Sequence, residues 1–318
     1  MKFIAKTAAA LCAIAAAHPA FAAPGDPVPL GSGLSLDPII DVRLRYEGID
    51  TPTSDADAVT IRLRGWAELK HKSGLSLLAE AEGTLAAVAD YNAFPFMIGD
   101  SQRRPGFAVV ADPMTIELNR LQVQYKSKPL TVTLGRQRIN LDDQRWVGAV
   151  GWRQNEQTFD ALRTEAKLGP VSLDGIYAIS QRTIWGVDAG PRTAFDGDFV
   201  FLGAGTRVGP VSVKGFAYLL DYQPAEQLGA LAVTNADTQT YGLRANASFK
   251  LSSTASLALT ASYARQSDWK DNPVDYAADY VAVEAGLGFG PLAFTGGHEK
   301  LGADGGRAVQ TPMATLHK

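Results

Sequence analysis

Apolar and polar residues alternate with a period of two over most of the chain. Ile40, Val42, Leu44 and Tyr46 interleave with Asp41, Arg43, Arg45 and Glu47. Ile61, Leu63, Gly65, Ala67 and Leu69 interleave with Arg62, Arg64, Trp66, Glu68 and Lys70, and the stretch from Leu75 to Thr84 repeats the pattern. It recurs at 116–126, 130–139, 157–167, 171–182, 199–208, 211–222, 238–250, 255–266, 279–289 and 292–300, making thirteen segments. Such a period predicts strands with one apolar and one polar face. Most of the segments run 9 to 13 residues. A globular strand averages about 5–6 residues, whereas a tilted membrane strand needs about 9–11.

The turns repeat as well. Leu168-Gly169-Pro170-Val171, Val208-Gly209-Pro210-Val211 and Phe289-Gly290-Pro291-Leu292 are three copies of one tight turn. Longer polar segments at 183–198, 223–237 and 267–278 separate them. Short turns at one end and long loops at the other predict an all-β transmembrane antiparallel barrel of the bacterial outer membrane. Closure pairs every backbone N–H and C=O, as hydrocarbon requires. A soluble sandwich is the alternative, but it has no need of such long strands. Lysines at 70, 72, 126, 128, 167, 214 and 250 flank the predicted short turns. Tyr46, Tyr125, Tyr177, Phe249, Tyr263 and Phe289 stand near strand ends, as interface aromatics do.

Ahead of the first strand, Lys2 and Lys6 precede an apolar run over 7–17 and the small-residue site Ala20-Phe21-Ala22. This order predicts a Sec-type signal peptide over 1–22, cleaved near Ala22, and hence export to the outer membrane. Residues 23–35 are expected to form a periplasmic leader and 36–318 the barrel. A fourteenth strand is expected to begin at Met313-Ala314-Thr315-Leu316, so that this chain holds about 13–14 strands of a complete 16–18. No terminal aromatic follows for the barrel-assembly machinery to read, which predicts that the barrel continues beyond Lys318.

Composition narrows the functions. The formal net charge of the 318 residues is −3, which argues against a nucleic-acid binder. The only cysteine, Cys12, lies in the predicted signal peptide, which excludes disulfides and cysteine-held metals from the mature chain. No cofactor is expected. The four histidines, His18, His71, His298 and His317, form no catalytic motif, and neither a nucleophile elbow nor a phosphate loop occurs. An enzyme is therefore not expected.

Arginines carry the functional signal. Arg43, Arg45, Arg62, Arg64, Arg120, Arg163, Arg207 and Arg244 occupy polar-face positions inside the strands. On the lipid side each would cost about 2–4 kcal/mol at the midplane, so they are expected to face the lumen. Guanidinium groups there suit carboxylates and phosphates. Two readings follow: an anion-selecting constriction, or a lumen neutralised by acids such as Asp41, Glu47, Glu68, Glu80, Glu82, Glu117, Glu165 and Asp174. In Leu134-Gly135-Arg136-Gln137-Arg138, strict alternation would turn Arg136 and Arg138 toward lipid. Either a bulge at Gly135 brings both inward or they lie above the membrane. The long segment 140–158, with Trp146 and Trp152, either folds into the pore or stays an outer loop with aromatic anchors, and 85–113, with Pro95, Pro105 and Pro113, either dips inward or caps the mouth.

One stretch adds a likeness. Gly135-Arg136-Gln137-Arg138-Ile139, Asp143-Gln144-Arg145-Trp146-Val147-Gly148, Trp152-Arg153-Gln154-Asn155 and Thr158-Phe159-Asp160-Ala161 together resemble the alginate-export family of outer-membrane porins. The resemblance implies an 18-stranded barrel that exports an acidic polyuronate through an arginine-rich pore with infolded loops. It adds Arg136, Arg138, Arg145 and Arg153 to the pore candidates. The expected function is a passive channel for anionic solutes, an acidic polysaccharide such as alginate or sugar acids. The expected partners are outer-membrane lipid, the barrel-assembly machinery and the anion itself. A general nonselective porin and a structural or adhesive barrel with a closed, salt-bridged lumen are the alternatives.

Overall fold

A computed structural model describes residues 26–224 and 236–313. The expected signal peptide lies outside the described residues, as do Ala314, Thr315 and Leu316 of the expected last strand. Fourteen strands form one sheet: β1 (Val28–Gly31), β2 (Leu34–Asp50), β3 (Asp55–His71), β4 (Leu75–Asp90), β5 (Thr115–Lys126), β6 (Leu130–Gln137), β7 (Thr158–Leu168), β8 (Val171–Arg182), β9 (Ala194–Val208), β10 (Val211–Tyr222), β11 (Thr238–Lys250), β12 (Ala255–Asp268), β13 (Ala277–Phe289) and β14 (Leu292–Leu301). Every strand pairs antiparallel with its sequence neighbour. The thirteen segments read from the alternation correspond to β2–β14. The fourteenth strand is β1, within the span read as a leader, and it pairs with the start of β2. Met313 makes only an isolated bridge to Val147. Among the described residues β1 and β14 do not pair with each other, so the barrel is not closed.

The repeated turn has a physical cause. Gly169, Gly209 and Gly290 all take φ between +56° and +60°, and the flanking residues close directly, Leu168 on Val171, Val208 on Val211 and Phe289 on Leu292. A two-residue hairpin with a glycine at positive φ matches the twist of the strands it joins. Proline follows at no cost, since the second turn residue donates no ladder hydrogen bond.

The alternation sorts side chains onto two faces. Ile40, Val42, Leu44, Leu63, Ile116, Leu134, Tyr177, Leu202, Leu243, Val283 and Phe294 are all exposed on the outer face. In water this surface would be a severe liability, whereas in hydrocarbon it is the solvent-matched one. The inner face differs around the sheet. On β2–β5 it carries Arg43, Arg45, Arg62, Arg64, Glu80, Glu82, Glu117 and Arg120. From β7 to β13 it carries Phe159, Phe195, Phe199, Phe201, Phe216, Tyr218, Tyr222 and Tyr280, packed as one apolar cluster.

Candidate functional site

The segment 138–157, between β6 and β7, leaves the sheet and crosses the lumen. Its near limb is stitched to the charged wall. Gln154 donates to the Thr60 carbonyl (3.0 Å) and hydroxyl (2.8 Å) on β3, and the Thr84 hydroxyl on β4 donates to Asn155 (2.7 Å). Its far limb reaches the other strands. Arg145 pairs with Glu299 on β14 (2.7 Å), Arg244 on β11 with Asp143 (2.7 Å), and Lys214 on β10 with Asp142 (3.2 Å). Trp146 packs edge-on against Tyr280 at 5.2 Å between ring centroids. Ile139, Leu141 and Val147 join the same apolar cluster. The sheet therefore wraps around this loop, which fills part of the lumen. Of the two placements left open for 140–158, the inward one is found.

The second long loop, 91–114, contributes at its end. Tyr91 donates to the Asp112 carbonyl (2.8 Å), and the Asp112 carboxylate accepts from the Gln154 backbone N–H (2.9 Å). The rest of this loop packs Phe94 and Phe96 with Trp185 over the ends of β3 and β4.

Between the loops and the wall lies a charge network. Arg45 pairs with Glu47 and Asp112, and Arg153 reaches Glu47 at 3.0 Å. Arg64 pairs with Glu82 and lies 3.2 Å from Glu156. Arg120 pairs with Glu80, Arg138 with Glu156, Arg62 with Asp41, and Arg163 with Glu165 (2.8 Å). Arg43 and Arg62 sit directly opposite in the ladder. Arg62 turns to its carboxylate, while Arg43 donates to the loop carbonyls of Gly151 (3.0 Å), Trp152 (2.6 Å) and Arg153 (3.1 Å). A guanidinium fork is well matched to such a cluster of acceptors.

One expectation fails. The ladders of β6 with β5 and β7 run without a register shift, so no bulge at Gly135 turns Arg136 inward. Gly135 takes φ +114° instead, where a Cβ would meet the Leu121 carbonyl at 2.3 Å. Arg136 stays on the outer face beside exposed Leu134 and pairs with Asp160 on β7 (2.8 Å). It does not join the lumen arginines. Arg138 does, because the chain leaves the strand after Gln137. The bulge that matters lies between Glu80 and Ala81 opposite β5. It brings Asn119 inward next to Arg120, where the Asn119 amide bridges Glu80 and Glu156, each at 2.7 Å.

A family model described as alginate export matches residues 40–248. The chain belongs to the alginate export family. The fold has solved counterparts among outer-membrane porins. Pseudomonas aeruginosa OccD3 (OpdP) is 12% identical with a TM-score of 0.58, covering 86% of this chain and 59% of its own. The outer-membrane protein OpdK of the same organism is 11% identical with a TM-score of 0.61, covering 84% and 66%. Pseudomonas aeruginosa OccK2 (OpdF), solved in complex with glucuronate, is 14% identical with a TM-score of 0.57, covering 84% and 64%. This chain thus spans about three fifths to two thirds of the length of these structures. No curated protein matches.

In this alginate-export chain the two partners of several ion pairs are unequally exposed. The Asp112 side chain is 1% exposed and Arg45 beside it 16%; Glu80 is 0% and Arg120 14%; Glu156 is 1% and Arg138 32%. In each pair the acid is the deeper member: Glu80 on the wall, and Asp112 and Glu156 on the loops packed against it. Other pairs invert this order: Asp41 is more open than Arg62, Glu299 more open than Arg145, and Glu47 more open than both Arg45 and Arg153. In the loop, burial lowers the Arg153 pKa from its ordinary value against the opposing pull of Asp112 and Glu47. For Arg138 burial also acts downward, but the hydrogen bond and charge of Glu156 outweigh it and raise the value. Arg64, Arg138, Asn140, Gln144, Trp152 and Glu156 line a cavity of about 530 Å³ beside the loop.

Asp112, Asn119, Gln154 and Glu156 were not legible as site residues. Only Gln154 lay in the motif that carried the family likeness. The others are placed in part by contacts distant in sequence: Asn119 with Glu156, Asp112 with Gln154 and Glu156 with Arg64.

Proposed function

We propose that the protein is an outer-membrane channel for passive passage of anionic solutes, with sugar acids or an acidic polysaccharide such as alginate as its cargo. The observation that carries this reading is the unequal exposure of the ion pairs. A wall whose carboxylates are buried under guanidiniums is close to neutral in sum, yet it presents cationic edges to a solute in the lumen. A carboxylate passing Arg45, Arg120, Arg138 and Arg153 exchanges hydration for charge-assisted hydrogen bonds. Because each guanidinium already leans on an acid, none holds the anion tightly, which favours entry and release. The glucuronate held by OpdF supports the same cargo class.

A second reading has its own support. The loop ties on both walls and the packed aromatic cluster favour a lumen closed by salt bridges, as in a structural or adhesive barrel. Adding oligouronate to one side of a planar bilayer holding the full-length protein separates the two. The channel reading expects an ionic current that oligouronate blocks. A folded barrel that passes no current would establish the structural reading.

A further inference from the structure

Among the lining residues of the lumen cavity, Trp152 stands apart. Most of the other inward aromatics are packed in the apolar cluster, and Trp66 on β3 lies under Arg120 at 5.7 Å, whereas Trp152 remains 38% exposed. It shares the cavity with Arg64, Arg138, Asn140, Gln144 and Glu156. Its position is fixed from three directions. Arg43 on β2 donates to the carbonyls of Gly151, Trp152 and Arg153, which sets the backbone on both sides of the indole. The guanidiniums of Arg153 and Arg45 stand 4.1 Å and 5.6 Å from the ring centroid. An indole held by arginines and part-open to a polar cavity offers an apolar surface beside hydrogen-bonding groups, which suits a ligand with both.

We propose that Trp152 is a stacking platform in the lumen that favours ring-bearing carboxylates over acyclic carboxylates of equal charge. This rests on the anion-channel reading and deepens it by adding shape to charge. The flat C–H face of a pyranose or an aromatic ring lies on the indole. Its carboxylate then meets the exposed edge of Arg138, and the amides of Asn140 and Gln144 are within the same cavity for hydroxyls. Arg43 acts as a positioning residue, holding the platform through the loop carbonyls without touching the solute.

The test uses glucuronate and gluconate, which carry the same charge and nearly the same atoms but differ in the ring. Their permeability ratio is measured from reversal potentials across a planar bilayer for the full-length protein, Trp152→Ala and Trp152→Phe. A ratio of about threefold to tenfold in favour of glucuronate is expected for the parent protein, falling toward one in Trp152→Ala and partly retained in Trp152→Phe. A purely structural role for Trp152 would change both permeabilities together and leave the ratio alone; that result, or a parent ratio of one, overturns the proposal. Chloride against potassium selectivity of the parent is read in the same cell. Its absence would reject the anion-channel reading itself, whereas its presence with an unaltered glucuronate ratio rejects only the platform.

Discussion

The two inner walls of this barrel obey the same alternation and end in opposite chemistry. On β2–β5 the inward positions are mostly arginines and carboxylates; β7, β9, β10 and β13 turn phenylalanines and tyrosines inward, packed as one cluster. Both walls present the same apolar band outward. The lipid therefore dictates one face of every strand, while the other face is free to specialise. The loop 138–157 is built to match both, with Ile139, Leu141, Trp146 and Val147 toward the aromatic wall and Arg153, Gln154, Asn155 and Glu156 toward the charged one. The aromatic wall holds the loop by packing, and the charged wall holds it by hydrogen bonds and ion pairs.

The largest expected effect comes from undoing that anchorage. Phe201, fully buried, packs against Phe159 and Tyr218. Phe201→Ala should cost about 3–5 kcal/mol of folding stability, checked by denaturant unfolding from lipid vesicles, with the ion selectivity of the surviving barrel unchanged. Second, Glu299→Gln with Arg244→Gln removes two ion pairs of the far limb of the loop, Arg145–Glu299 and Arg244–Asp143, with Lys214–Asp142 and the aromatic packing left to hold it. Single-channel conductance should rise by about twofold, because the loop is held less firmly in its crossing position. A conductance equal to that of the parent would show that the loop does not limit the passage.

Third, Arg138→Gln with Arg153→Gln removes the guanidiniums that stand over the buried carboxylates of Glu156 and Asp112. Anion preference should fall by about half or more, and buried Glu156 would then add a cationic bias. The smallest effect is expected at Arg136→Gln. Its pair with Asp160 lies on the outer face, away from the lumen, and selectivity should not move. A selectivity change at Arg136 equal to that at Arg138 would dissolve the distinction between the two.

Much of the barrel was legible because alternation is a local signal. All of β2–β14 follow from it, as do the Gly-Pro hairpins. β1 escaped notice because Val28-Pro29-Leu30-Gly31 is too short to show a period. The aromatic wall was hidden for a related reason. In Phe199-Val200-Phe201-Leu202 both faces are apolar, so the period cannot say which side is inside. The course of the loop was open because an aperiodic segment has no face to assign. Its partners Glu47 and Glu299 lie 106 and 154 residues from Arg153 and Arg145. Of the readings open for Arg136, the bulge is not found: β6 runs in register through Gly135, so Arg136 keeps the outward phase of Leu134. Which guanidiniums stay open over their acids is a property of depth, and no spacing in the chain encodes it.

The central claim is that open guanidiniums over sunk carboxylates make the charged wall selective. The most direct measurement is the reversal potential in a potassium chloride gradient for the full-length protein and for Arg138→Gln with Arg153→Gln. An anion-preferring potential that moves toward the cation side in the variant is the predicted result. A parent potential near zero, or one that the two substitutions leave in place, would contradict it.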